Sequence, residues 1–416
     1  MHLIYNVFAQ LSWHFLKIVA LFNTKIKLFV EGRKNTSAIL ENNLGPNDKN
    51  IWIHVASLGE FEQGLPIIEK IKSDHPDYKV VVTFFSPSGY EVKKNSSVAD
   101  VICYLPIDTN EKASSFIKKV NPRLAIFVKY EIWPNYLKIL RDHQVPSILI
   151  SAIFNENQIY FKSHGSFMRK TLKSFSHYFV QDPASKELLK SIGIKNCTVS
   201  GDTRLDRVSE ILERDNSLDF MKSFKKDKLC FIAGSTWPED ENIIIDYINH
   251  APRNVKYVLA PHTIKSDKIL GLAGALSKKT ILYSKIENNN LGDYEVLIVD
   301  HIGLLTKIYS YADIAYVGGG FATGLHNTLE PAVFGIPVII GPHFKGFNEA
   351  EDLVAQKGIL TINDKWTFGE TMKKLLENNE YRLRTGAINS NYISKNKGAS
   401  DQIMNYISPL LSSDNR

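Results

Sequence analysis

The residues whose types and spacing suit chemistry fall in a few short clusters, and the longest is Gly318-Gly319-Gly320-Phe321-Ala322-Thr323-Gly324-Leu325-His326-Asn327-Thr328-Leu329-Glu330-Pro331. It follows the apolar run Ile314–Val317. It leads into residues 329–333, whose pattern predicts a helix, and then 336–340, which predicts a buried strand. A glycine turn between strand and helix lets backbone approach a ligand closely, because no Cβ intervenes. A helix start adds unpaired N–H groups and a positive dipole end, which suits phosphate. Gly319 and Gly320 are therefore candidate phosphate-facing amides, and Glu330 is a candidate acceptor for vicinal sugar hydroxyls. The alternative is a glycine turn that serves packing alone.

Further clusters repeat the pattern of a strand, a small-residue turn and a helix. Ser235 and Thr236 offer hydroxyls and amides to an anion ahead of Trp237-Pro238-Glu239. Pro261 and His262 end the next strand, and His262 faces a base, a phosphate or the core. Ile302, Gly303 and Leu304 open the helix before the cradle strand. In the first half, His54-Val55-Ala56-Ser57-Leu58-Gly59-Glu60 carries Glu60 out of a strand end, where a glutamate also serves as a dipole partner. Lys129-Tyr130-Glu131-Ile132-Trp133-Pro134-Asn135 supplies a second carboxylate, Glu131, with Pro134 suited to a first helical turn. Ser200-Gly201-Asp202-Thr203-Arg204-Leu205-Asp206 supplies the guanidinium fork of Arg204 for an anionic group. Each of these clusters also reads as a solvated loop. No GxGxxG spacing supports a dinucleotide site. No DxD pair stands among scattered histidines, so the expected site uses no metal and no cofactor.

These clusters need elements to hold them, and 416 residues suffice for two domains with sizeable cores. With 44% hydrophobic and 23% charged residues the chain reads as globular. Cys103, Cys197 and Cys230 lie far apart, which suggests a reducing compartment and neither disulfide framework nor zinc site. A net charge of +6 without a dense basic run favours anionic lipid or phosphorylated substrates over nucleic acid.

Strands alternate with helices along most of the chain, which predicts α/β architecture with parallel sheets. Residues 51–56, 80–83, 101–104, 124–128, 147–150, 178–180 and 198–200 read as strands of a first doubly wound, Rossmann-like domain over 35–206, with 35–50 as a linker. The polar stretch 207–228 reads as the interdomain connection. A second such domain follows over 229–398, and 399–416 reads as a last helix. The expected site is the cleft at the strand C-termini between the domains. Before all this, Ile4, Phe8, Leu11, Phe15, Ile18, Phe22, Ile26 and Phe29 form one apolar stripe over 1–30, followed by lysines. The charge-free run is too short to span a bilayer, so 1–34 reads as a helix lying on a cytoplasmic leaflet, or as one packed on the protein's own core.

Taken together, HVASLGE (54–60), KYEIWPN (129–135), GDTRLD (201–206), GSTWPEDE (234–241) and GGGFATGLHNTLEP (318–331) resemble the 3-deoxy-D-manno-octulosonic acid (Kdo) transferases of lipid A assembly. The N-terminal apolar segment matches that family's membrane anchor. The resemblance implies a GT-B fold and metal-independent, inverting transfer of Kdo from CMP-Kdo to a lipid A precursor (lipid IVA) at the inner membrane. It implies that Glu60 is the proton acceptor, with Glu131 and Arg204 as transition-state stabilisers. CMP contacts would come from Pro261 and His262, Ile302 to Leu304, and Asn327, Thr328, Leu329 and Glu330. The chain departs from the pattern at Pro261 and Ile153, where arginines are usual, at Lys129-Tyr130, where Glu-Thr is usual, and at Thr328, where proline is usual. Two other readings compete: an epimerase acting on a UDP-sugar, with the same two-domain architecture, and a non-catalytic membrane-bound sugar-nucleotide binder.

Overall fold

The computed structural model describes residues 1–251, 254–322 and 324–412. Two compact units divide the chain: Met1–Asp206 together with the chain from Lys397 onward, and Arg207–Asn396. The first is built on strands β1 (Lys49–Val55), β2 (Tyr78–Phe84), β3 (Val101–Tyr104), β4 (Pro122–Val128), β5 (Ser147–Ala152), β6 (His177–Val180) and β7 (Cys197–Val199). All pair in parallel, in the order β3-β2-β1-β4-β5-β6-β7. Strand order reverses at β1, so the C-terminal ends of β1 and β4 frame a crevice where sheets of this kind take ligands.

The period of two in β1 decides what lies on each face. Ile51, Ile53 and Val55 join the layer that also buries Ile403, Ile407 and Leu411 of the C-terminal helix Ala399–Ser412. Trp52 joins the opposite layer, and His54 follows it there, beside Thr83 of β2. The final helix is thus part of the first unit. Asp206 accepts the N–H groups of Gly398 and Ser400 at its start, and Tyr78 Oη donates to Leu411 O at its end. Truncating any of its three buried aliphatics to Ala costs about 2–5 kcal/mol.

The stripe expected to be one helix over 1–34 is two: α1 (His2–Val19) and α2 (Thr24–Gly32). The break comes from Asn23, whose side chain accepts the Ile26 N–H and starts α2. None of α1's residues is buried, and among the described residues no helix is long and apolar enough to cross a membrane. Tyr5 Oη donates to Asp108 Oδ2 at 2.7 Å, and Asn6 Oδ1 accepts the Asn110 N–H, which moors α1 to the sheet. At the end of α2 the buried Arg33 donates to the carbonyls of Leu105, Phe29 and Phe85 and lies 3.6 Å from the Phe29 ring centroid. Its burial lowers the guanidinium to about 9. Residues 35–50, read as a linker, contain the helix Thr36–Asn43, which buries Leu40 in the core.

The second unit carries β8 (Leu229–Thr236), β9 (Val255–Pro261), β10 (Thr280–Leu282), β11 (Val296–Ile298), β12 (Ile314–Val317), β13 (Val338–Ile340) and β14 (Ile359–Thr361). The order is β10-β11-β9-β8-β12-β13-β14, again all parallel. Here β8 lies between β9 and β12, and its C-terminal end faces the second crevice. Residues 207–228, read as a connection, include the helix Asp219–Lys225, which buries Met221 and Phe224 in this unit.

Candidate active site

In the first unit, Ser57 caps the helix Leu58–Asp74 by accepting the Glu60 N–H, and the Glu60 carboxylate turns back to accept the Ala56 N–H. Ser57 is thus the helix cap, and Glu60 satisfies the amide just before it, as a carboxylate in a first helical turn can. Electrostatics adds a second property. Glu60 is only 7% exposed, and burial, reinforced by the negative charge of Glu131, pushes its carboxyl up to about 7, against the pull of the Ala56 N–H and Lys129.

Glu131 is held from two sides. Its Oε2 accepts the Trp133 indole N–H at 3.0 Å and lies 3.3 Å from His54 Nε2. Behind His54, Thr83 Oγ1 lies 2.9 Å from Nδ1, and Trp52 Nε1 donates to the same hydroxyl at 2.8 Å. Every donor and acceptor is matched when Thr83 donates to Nδ1 and Nε2–H donates to the carboxylate. The backbone before Glu131 is strained: Lys129, a non-glycine residue, has φ +68.

Arg204 is differently placed from the open fork expected of it. Its Nε and Nη2 donate to Asp202 Oδ2 at 2.9 and 2.7 Å. Burial works to raise Asp202, but the Arg204 charge and the hydrogen bonds from Arg204 and Gln63 together outweigh it and hold the carboxyl below its ordinary value. Gln63, one turn after Glu60, also donates to Asp202. The structure therefore brings Glu60 and Glu131 together and ties Arg204 to the Glu60 helix through Asp202 and Gln63.

In the second unit, the residues expected to bind a nucleotide gather at the ends of β8, β9, β11 and β12, with corrections to what several of them do. Gly319 and Gly320 are buried, and the Gly319 N–H donates to Asp240 Oδ2 at 2.9 Å, so that amide is not offered to a phosphate. A Cβ on Gly320 would lie 2.8 Å from Gly341 N, and one on Gly318 would lie 2.3 Å from Ser235 O. These glycines permit backbone-to-backbone packing. The helix they feed is a single turn, Leu329–Ala332, too short for a developed dipole. The Thr236 hydroxyl donates to Glu241, and the helix Pro238–His250 opens with Glu239, Asp240 and Glu241, which already compensate its positive end. Ser235 takes φ +54.

What the second unit does present is an aromatic stack and a carboxylate. The rings of Trp237 and His262 lie 4.5 Å apart, and those of His262 and His326 lie 4.6 Å apart, both nearly parallel. Trp237 Nε1 donates to His326 Nε2 at 3.0 Å, and burial, then His262, lowers the His326 imidazole, keeping it an acceptor. Glu330 accepts from Asn327 Nδ2 at 3.1 Å and Thr306 Oγ1 at 2.8 Å, and Asn327 Oδ1 accepts the Leu329 N–H. Ile302 is 82% exposed, with Gly303 open beside it and Leu304 half-buried. Pro261 is half-buried, whereas Thr328 is buried and its hydroxyl has no hydrogen-bond partner among the described residues. Sequence reasoning missed Asp240, Trp237 and His326, although GSTWPEDE and the cradle motif contained all three.

A family model described as 3-deoxy-D-manno-octulosonic-acid transferase (kdotransferase) matches residues 30–207. A 3-deoxy-D-manno-octulosonic acid transferase of Haemophilus influenzae is 28% identical over 88% of this chain and 88% of its own length. One from Aquifex aeolicus is 29% identical over 74% of this chain and 80% of that protein. Residues 30–207 thus match the Kdo transferase model, and the chain is similar over most of its length to Kdo transferases, which are glycosyltransferases. Its fold also resembles that of a UDP-GlcNAc 2-epimerase from Neisseria meningitidis, with TM-score 0.61 at 16% identity, covering 86% of this chain and all of that one. The matched segment 30–207 contains Glu60, Glu131 and Arg204.

Proposed function

We propose that this protein is a Kdo transferase of GT-B type, moving Kdo from CMP-Kdo to a lipid A precursor with inversion and without a metal. The observation that carries the reading is the carboxylate pair in the first unit. Glu60, raised to about 7 beside the charge of Glu131, is matched to accepting a proton near neutral pH. The acceptor hydroxyl gives its proton to Glu60, and its oxygen bonds to the anomeric carbon of Kdo. The bond from that carbon to the CMP phosphate breaks, and the electron pair leaves with CMP. Positive character on the sugar is met by Glu131, and Arg204 steadies developing negative charge. The second unit takes the cytidylate through His262, residues 302–304 and the Asn327–Glu330 pair, with vicinal ribose hydroxyls on Glu330.

We further propose that the protein works at the cytoplasmic face of the inner membrane, with α1 lying in the interface. Leu3, Phe8, Leu11, Phe15, Ile18 and Phe22 are all exposed, and Lys17, Lys25, Lys27 and Lys34 follow among them. An assay with CMP-Kdo and a tetraacylated lipid A precursor, products resolved by mass, tests the function. Addition of Kdo mass units that ceases in Glu60→Ala supports it. No transfer, or conversion of UDP-N-acetylglucosamine to its epimer instead, overturns it.

A further inference from the structure

Helix α1 is apolar on two sides. Leu3, Leu11, Phe15 and Ile18 are exposed on one. On the other, Tyr5, Ala9, Trp13 and Leu16 form one wall of a 460 Å³ groove, with Phe85, Trp133 and Phe167 opposite. The lining runs along α1 from Met1 to Leu16, roughly 22 Å at the rise of an α-helix. A single membrane leaflet is about 15 Å of hydrocarbon, so an extended fatty acyl chain fits within that length.

Two features identify the occupant. Trp133 belongs to both places at once: its ring lines the groove, and its indole N–H is bonded to Glu131. Whatever fills the groove therefore lies against the ring that holds Glu131. At the Met1 end, the His2 imidazole is lowered by burial and then by Lys138, the N-terminal amine, Lys170 and Arg141. Lys138 and Arg141 share Asp142, and the rim stays cationic. An anionic headgroup is attracted there, and an uncharged apolar peptide is not. We propose that this groove holds one fatty acyl chain of a phosphorylated glycolipid acceptor. The proposal rests on the acceptor class assigned above and adds where its lipid is read.

The test compares a tetraacylated precursor with its fully deacylated sugar-phosphate backbone, in wild type and in Ala9→Phe, which fills the slot. For Ala9→Phe, KM for the acylated acceptor should rise on the order of tenfold, the loss of about two buried methylenes. KM for the deacylated acceptor should not move. Equal changes for both acceptors, or none for either, overturn the groove while leaving the transferase reading intact. Absence of transfer to both acceptors in wild type defeats the transferase reading, and this proposal with it. A second measurement uses wild type alone: a precursor brominated on its acyl chains, held below its aggregation concentration. Saturable quenching of tryptophan fluorescence that shrinks in Trp13→Phe, with the remainder coming from Trp133, supports the site. Quenching by brominated phospholipid vesicles but not by the monomeric acceptor assigns the groove to bulk lipid and overturns it.

Discussion

Trp133 donates its indole N–H to Glu131 Oε2 at 3.0 Å, so one ring both orients a carboxylate and walls an apolar groove. Trp133→Phe keeps the ring, and with it the packing against Phe85 at 4.9 Å, but removes the donor. A hydrogen bond to a charged group contributes about 1.5–3 kcal/mol. We expect kcat to fall at least tenfold while KM for CMP-Kdo stays within twofold. Steady-state kinetics at saturating donor checks this, and an equal change in both constants would assign the tryptophan a purely structural part.

As the proposed base, Glu60 should set the pH dependence. Its proton acceptor form is the carboxylate, so kcat/KM should rise with pH and level off above about 7. Glu60→Gln should cost roughly 10²–10⁴ in rate and abolish that inflection. A profile from pH 5.5 to 9 measures both.

The same group should cost stability. Between the unfolded value near 4.5 and the folded value of about 7, the native state holds a proton that the unfolded chain has lost. Stability therefore falls as pH rises through that window, and above it the penalty is about 3 kcal/mol. Glu60→Gln should raise the denaturation midpoint at pH 8 and leave it nearly unchanged at pH 4. Urea titrations at the two values decide it, and equal shifts at both would refute the burial cost.

The Trp237–His262–His326 stack should govern donor affinity. His326 must be neutral to accept from Trp237, and its lowered imidazole keeps it so down past the usual value of about 6.5. The arrangement is intact above that value and is lost as pH falls through the lower folded one. His326→Ala should weaken CMP binding about five- to tenfold and flatten the acid limb. Calorimetric titration with CMP between pH 5 and 8 reads both effects.

What could be read in the chain was the alternation of apolar strands with helices, and with it two parallel sheets. Strands such as 51–56 and 124–128 were legible because burial on both faces leaves a nearly continuous apolar run. β10 and β14 were not, since three-residue edge strands carry no period. The break at Asn23 hid inside an apolar stripe that continues in phase across it. At the site, Glu60 and Glu131 stood out as carboxylates at strand ends, but their partners came from elsewhere. Thr83 meets His54, which in turn reaches Glu131, only because β1 and β2 pair in register with His54 opposite Thr83. The glycines of 318–320 were legible as a turn serving either a phosphate or packing, and only the fold sets Gly320 against Gly341 and Gly318 against Ser235.

Asp206 binds the N–H groups of both Gly398 and Ser400, and those residues flank the points where the chain leaves the first unit and comes back. In covalent terms, the second unit is a cassette inserted into its host. Splicing residue 206 to residue 397 through a short glycine-serine loop should give an autonomous protein that keeps the final helix, whereas simple truncation after 206 would strip a layer of its core. The first unit is therefore to be isolated by excision, not by shortening.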